Sequence, residues 1–174
     1  MAADISDLLT ARIRDVPDYP QPGILFKDIT PLLADGPAFA ATIGALAAGY
    51  DGVSKVAGIE ARGFILAAPV ACVLGAGFVP VRKQGKLPAQ TYAESYELEY
   101  GVATIEVHTD AFQPEERVLI VDDVLATGGT AAATAELIGR AGATVAGIVV
   151  LLELGFLKGR GKLAGLPIRS LLTV

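Results

Sequence analysis

Residues 118–130 read V-L-I-V-D-D-V-L-A-T-G-G-T, and this run constrains the fold more than any other part of the chain. Val118 to Val121 form a continuous apolar stretch, the signature of a strand buried on both faces. Two adjacent carboxylates follow, Asp122 and Asp123. They fall at the C-terminal edge of the strand, where open parallel sheets bind ligands. A turn of small residues, Thr127 to Thr130, then opens an alanine-rich segment with helical character. Such a turn places backbone N–H groups at a helix N-terminus, a ready site for a phosphate. Two acids beside a phosphate cradle suit a ligand that carries both hydroxyls and a phosphate, as a phosphorylated ribose does.

Two common phosphate motifs are excluded. A Walker A loop needs a lysine before the final Ser/Thr, and here Thr130 follows Gly129 directly. The dinucleotide fingerprint needs G-x-G-x-x-G after a strand, and no copy stands there.

The rest of the chain reads as strand–helix alternation. Asp4 to Arg14 places Ile5, Leu8, Leu9 and Ile13 on one helical face. Val16 to Gly23, with three prolines, reads as irregular. Asp35-Gly36-Pro37 opens a helix that runs to Gly49. Lys55 to Ile59 is a strand, Phe64 to Leu74 an apolar helix with Cys72 in the core, and Phe78 to Val81 a further strand. Lys86 to Ser95 shows no core pattern and reads as a mobile loop. Tyr96 to Tyr100 alternates and pairs with Ala103 to Val107 as a hairpin. After the Val118 strand come a helix from Thr130 to Arg140, a strand from Thr144 to Leu152 and a short final strand from Ser170 to Thr173. The expected fold class is α/β: an open, mostly parallel, twisted sheet flanked by helices, with an inserted flexible hairpin and loop. With no repeat or linker, residues 1–174 are expected to form a single domain.

Composition removes several function classes. A net charge of −5 and a pI near 4.8 argue against a nucleic-acid binder, because phosphate contacts need a basic face. The basic cluster of Arg82, Lys83 and Lys86 reads equally as a solvated loop or as a site for one polyanionic small molecule. Hydrophobic residues make up 52% of the chain. Even so, the longest apolar stretch, Ala143 to Leu152, is too short to span a membrane. The first ten residues carry acids and lack a signal peptide's basic start. One cysteine, Cys72, and one histidine, His108, exclude an internal disulfide and a His- or Cys-based metal cluster. His108 reads as a surface residue. The cytoplasm is the expected location.

The Val118 run resembles the phosphoribosyl pyrophosphate motif of the type I phosphoribosyltransferases: a hydrophobic strand, two acids and a T-G-x-T-like loop. The resemblance extends along nearly the whole chain to the adenine-using branch of that family. Its landmarks are P-G-I-L-F-K-D-I-T-P from Pro22, G-I-E-A-R-G-F from Gly58, V-R-K-Q-G-K-L-P from Val81, Y-E-L-E-Y-G from Tyr96, and the Val118 run itself.

The resemblance implies transfer of a phosphoribosyl group from phosphoribosyl pyrophosphate to adenine, giving AMP and pyrophosphate. Asp122 and Asp123 would hold the ribose hydroxyls. Ala126, Thr127, Gly128, Gly129 and Thr130 would hold the terminal phosphate. Glu60, Ala61 and Arg62 would hold the pyrophosphate, Arg62 with a catalytic role, and Arg82, Lys83 and Lys86 would assist, in their own or a partner's site. Leu25, Phe26 and Lys27 would receive the adenine, although some family members have arginine where Lys27 stands, which is not a neutral exchange.

Pattern alone makes Glu99 a solvent-side hairpin charge; the resemblance makes it the acid/base for the purine ring. The hypoxanthine–guanine branch carries an aspartate base where Ala126 stands, and a methyl group cannot move a proton. No direct protein metal site is implied, since Mg²⁺ travels on the pyrophosphate. A homodimer is implied, and no nucleic-acid or membrane partner. Two alternatives remain: the same chemistry on another base, or a non-catalytic sensor of the same donor.

Overall fold

The computed structural model describes residues 5–98 and 101–174. Among the described residues, nine strands and five α-helices follow one another along the chain. They are α1 Ile5–Thr10, β1 Arg14–Pro17, β2 Leu25–Asp28, α2 Thr30–Ala34, α3 Gly36–Ala47, β3 Lys55–Ile59, α4 Arg62–Leu74, β4 Gly77–Lys83, β5 Thr91–Glu97, β6 Val102–His108, β7 Arg117–Leu125, α5 Gly129–Arg140, β8 Thr144–Glu153 and β9 Ile168–Thr173. Two short 3-10 turns, Gly155–Leu157 and Gly159–Leu163, join β8 to β9.

Seven strands form one sheet in the order β5-β6-β4-β3-β7-β8-β9. The run from β4 through β3, β7 and β8 to β9 is parallel, and the β5–β6 hairpin adds antiparallel to β4. β1 and β2 form a separate antiparallel pair. The apolar run in β7 is buried on both faces because helices cover both. Leu119 and Val121 pack with Leu66 and Val70 of α4 on one side, while Val118 and Ile120 join the core of Leu137 and Ile138 of α5 on the other.

Several boundaries differ from the sequence reading, each for a local reason. α1 stops at Thr10, and Arg14–Pro17 is already extended, paired along its length with β2. Proline is tolerated there because the pair is only two strands wide. α2 was not anticipated; Pro31 sits in its first turn, where a missing N–H costs nothing. Lys86 to Ser95 is not wholly loop: from Thr91 the chain pairs residue by residue with β6. Its burial is intermediate on both faces, so it carries no alternation to read. Cys72 is exposed and not part of the core, because α4 buries Leu66, Ala67, Val70 and Ala71 instead. His108 is half-buried rather than on the surface.

Candidate active site

The site lies at the C-terminal ends of β3 and β7, neighbours at the centre of the sheet. β7 continues to Leu125, so the two acids sit inside its last residues and not beyond it. Successive strand residues point to opposite faces, yet both carboxylates serve one cleft. Asp123 is 5% exposed, and its Oδ2 lies 2.8 Å from Arg62 Nε in an ion pair across the cleft. That oxygen has no hydrogen-bond partner of acceptable geometry. Asp122 Oδ1 accepts the Asp123 backbone N–H at 2.9 Å. Burial, and then the charge of Asp123 beside it, push the Asp122 carboxyl well above the usual carboxylate range. Room for Asp122 is made by Gly63: a Cβ there would come within 2.7 Å of Asp122 Oδ1.

The loop at 126–130 turns from β7 into α5. Gly128 has φ +80°, a left-handed conformation that favours glycine. α5 begins at Gly129, and the small cavity in this loop, about 70 Å³, is lined by Asp122 and Ala126 through Thr130. A Cβ on Gly129 would lie 2.9 Å from the Tyr96 ring, and Thr130 Oγ1 donates to the Tyr96 hydroxyl at 3.0 Å. The hairpin is thereby seated on the loop.

The segment after β3 carries Glu60, Ala61 and Arg62, and the Glu60–Ala61 peptide is cis. Glu60 faces the basic cluster: it accepts the Lys83 amide at 2.9 Å and pairs with Arg82 at 3.2 Å. Burial raises the Glu60 carboxyl, but the Lys83 amide and the Arg82 guanidinium outweigh it and hold the group below its ordinary value. Arg62 sits 5.2 Å from the centre of the Phe26 ring, a cation–π contact.

These parts enclose a cleft of about 460 Å³, lined by Glu60, Ala61, Arg62, Lys83, Tyr96, Asp122, Asp123, Ala126 and Thr130 among others. A second pocket, about 150 Å³ and mostly apolar, adjoins it, walled by Leu25, Phe26, Lys27, Arg62, Val124 and Leu154 among others. Arg62 and Val124 line both. Lys27 Nζ donates to Asp15 Oδ1 at 2.6 Å, so its ammonium is engaged at the pocket rim.

The structure therefore brings together the acids, the 126–130 loop, the 60–62 segment, Lys83 and the Leu25–Lys27 segment. Arg82 and Lys86 do not line the cleft: Arg82 is turned to Glu60 and to the Lys86 carbonyl. Glu99 lies outside the described residues. Sequence reasoning missed Tyr96, Gly63 and Val124 as parts of the site. All three stood in quoted motifs without a role, Tyr96 in the hairpin, Gly63 in the run from Gly58 and Val124 in the run from Val118, and the last two carry no chemical signal of their own.

An acid pair at the end of β7, a glycine-containing turn into α5 and the cis Glu60–Ala61 segment after β3 thus meet at the ends of the two central strands of an open α/β sheet. A family model described as phosphoribosyl transferase domain matches residues 32–163. The chain belongs to that family, and its fold is the type I phosphoribosyltransferase fold. Among curated relatives, an adenine phosphoribosyltransferase from Thermobifida fusca is 64% identical and covers 100% of both chains. Among solved structures, an adenine phosphoribosyltransferase from Rhodothermus marinus is 53% identical with a TM-score of 0.93, covering 99% of each chain. The Saccharomyces cerevisiae adenine phosphoribosyltransferase, solved with an imino-altritol bisphosphate and adenine, is 38% identical with a TM-score of 0.92, covering 98% of this chain and 99% of its own.

Proposed function

We propose that this protein transfers the phosphoribosyl group of phosphoribosyl pyrophosphate to adenine, giving AMP and pyrophosphate in purine salvage, with residues 1–174 acting as one domain. The observation that carries the reading is the shared wall: Arg62 and Val124 border both the acid-lined cleft and the apolar pocket at Leu25–Lys27. A donor sugar in the first cavity and a flat base in the second would meet at that wall. The relatives' activity and the adenine bound in the yeast relative support it.

In this mechanism the bond from the sugar's anomeric carbon to the pyrophosphate breaks, and its electron pair leaves with the pyrophosphate. Adenine N9 then bonds to that carbon. Asp122 and Asp123 hold the ribose hydroxyls and favour the positive charge that develops on the ring. Backbone N–H groups of 126–130 hold the terminal phosphate, the positive end of α5 behind them. Arg62 and Lys83 face the pyrophosphate oxygens, and the 60–62 turn supplies further donors. Leu25 and Phe26 receive the base, and Lys27 borders it. Glu99 takes the purine proton.

Mg²⁺ belongs to the same proposal. It would be carried on the donor's pyrophosphate, since Mg²⁺ keeps waters and substrate phosphates among its ligands, and not on Asp123 Oδ2, which is already paired with Arg62 at 2.8 Å. When bound with the donor, the ion neutralises charge on the leaving group.

We also propose a cytoplasmic homodimer. Ile65, Val73 and Phe78 are exposed by 44%, 62% and 37%, apolar side chains on α4 and β4 that a second copy would cover. Arg82 and Lys86 do not line their own cleft and would serve the partner's, Arg82 by exchanging its Glu60 pairing for the partner's ligand.

The test is to convert Asp122 and Asp123 together to Asn and follow AMP formation from adenine, donor and Mg²⁺. The expected result is loss of nearly all turnover with the circular dichroism spectrum unchanged. Near-normal AMP formation by the folded double variant would overturn the assignment.

A further inference from the structure

Behind the 126–130 loop stands a second layer of structure with no chemical signature in the sequence. Gly159 has no room for a side chain: a Cβ there would run into the Ala126 carbonyl and come within 3.0 Å of the Gly128 nitrogen. Gly128 is blocked reciprocally by the Gly159 carbonyl. The two backbones touch directly, so the position of Gly159 sets the position of Gly128.

The next residue anchors that contact. Arg160 Nε donates to Glu153 Oε1 at 2.8 Å and its Nη2 to Glu153 Oε2 at 2.7 Å. Its Nη1 donates to the Ile168 carbonyl at 3.1 Å, and its Nη2 also to Ser170 Oγ at 3.1 Å. Ser170 Oγ in turn donates to Glu153 Oε2 at 2.8 Å. A planar guanidinium fork gripping one carboxylate fixes orientation as well as distance. Glu153 is 6% exposed and ends β8, and its register partner in β7 is Leu125, the residue immediately before the loop. The grip on Arg160 therefore starts from the same rung of the sheet at which the loop departs. Hydrogen bonding to Arg160, which outweighs burial, holds the Glu153 carboxyl below its ordinary value, so the clamp is charged at neutral pH.

We propose that Arg160 is a positioning residue for donor binding: clamped to Glu153, it presses Gly159 against Ala126 and Gly128 and so shapes the loop before the sugar phosphate arrives. The inference rests on the reading of 126–130 as the phosphate cradle. Backbone donors work only when aimed in advance, and small misplacements in such a shell are costly.

The experiment compares Arg160→Ala, Arg160→Lys and Gly159→Ala with two controls. Arg169→Ala is the stability control: it removes a 2.9 Å hydrogen bond to the Leu46 carbonyl and a cation–π contact with Tyr50, neither of which touches the loop. A Thr127→Ala, Thr130→Val double variant alters the loop itself. Steady-state kinetics, ribose 5-phosphate calorimetry and thermal midpoints are measured for all.

For Arg160→Ala, donor KM and the ribose 5-phosphate dissociation constant should rise about 10-fold or more, while adenine KM at saturating donor moves by no more than about 2-fold. Arg160→Lys should fall between wild type and Arg160→Ala, since it keeps charge but loses the fork. Arg169→Ala should leave donor KM unchanged even at a similar loss of thermal midpoint. Should Arg160→Ala not fold, Arg160→Lys and Gly159→Ala carry the same test, each expected to raise donor KM selectively.

Donor affinity unchanged in the folded position-159 and position-160 variants, or donor and adenine KM rising together, would overturn the positioning role. If ribose 5-phosphate leaves the backbone amide NMR shifts of 126–130 in the wild-type protein unmoved, the reading of the cradle fails. If only the loop variant loses binding, the cradle stands and Arg160 has no part in it.

Discussion

Arg62 and Asp123 close on each other across the cleft, Nε to Oδ2 at 2.8 Å, with the aspartate side chain 7% exposed and the arginine side chain 42% exposed. The pair joins the first residue of α4 to the end of β7, and Arg62 lines both the acid-lined cleft and the apolar pocket beside it.

Replacing Arg62 with Ala strands a buried carboxylate. A fully buried pair broken in this way costs about 3–5 kcal/mol, but the arginine's exposure reduces that, and we expect a loss of about 1–2 kcal/mol by urea denaturation. Turnover should fall by roughly 10²-fold or more, because a donor aimed at developing charge is lost with it. An active Arg62→Ala enzyme would remove the residue from the mechanism.

Asp122 is held well above its ordinary value, and the sign of the consequence follows from linkage. A carboxyl whose folded pKa is raised keeps its proton in the folded state after the unfolded chain has released it. Its contribution is most favourable below the unfolded pKa and is lost as pH rises through the folded pKa. Asp122→Asn should therefore gain thermal stability relative to wild type as pH climbs from about 4 toward neutrality, and lose activity. A stability difference flat with pH across that range would show that Asp122 titrates normally.

Gly63→Ala should trade activity for almost nothing in secondary structure. The new methyl would lie 2.7 Å from Asp122 Oδ1 and 3.3 Å from the Val121 carbonyl, so the acid must shift. Because displacements of about 1 Å in a reacting site can cost 10²-fold, we expect a loss of that order in kcat/KM, read beside an unchanged far-ultraviolet spectrum.

The central strand, the acids and the loop were legible in the sequence because their chemistry and their burial coincide: an apolar run ending in charge has few places to go. The first part of β5, Thr91 to Ser95, was hidden because it stays half-wet, and α2 because five residues carry no periodicity. Gly159 and Arg160 left no trace, since what makes them matter is a backbone contact with residues some thirty positions away, and a surface arginine near a strand end looks like any other. Cys72 was misplaced because an almost uniformly apolar helix does not announce which side faces out.

Glu99→Leu separates base chemistry from donor binding. General acid/base help is worth about 10²–10⁴-fold, so kcat should fall within that range, while calorimetry with phosphoribosyl pyrophosphate should give a near-normal dissociation constant. Retained turnover would return Glu99 to a solvent-side charge and demand another proton carrier, which Ala126 cannot be.

The most direct measurement offers adenine and hypoxanthine at equal concentration with donor and Mg²⁺, and quantifies the two nucleotides formed. A pocket that reads an exocyclic amine leaves polar groups unpaired against a carbonyl, which discriminates by about 10⁴. The account predicts AMP with essentially no hypoxanthine nucleotide; comparable amounts of the two would contradict it.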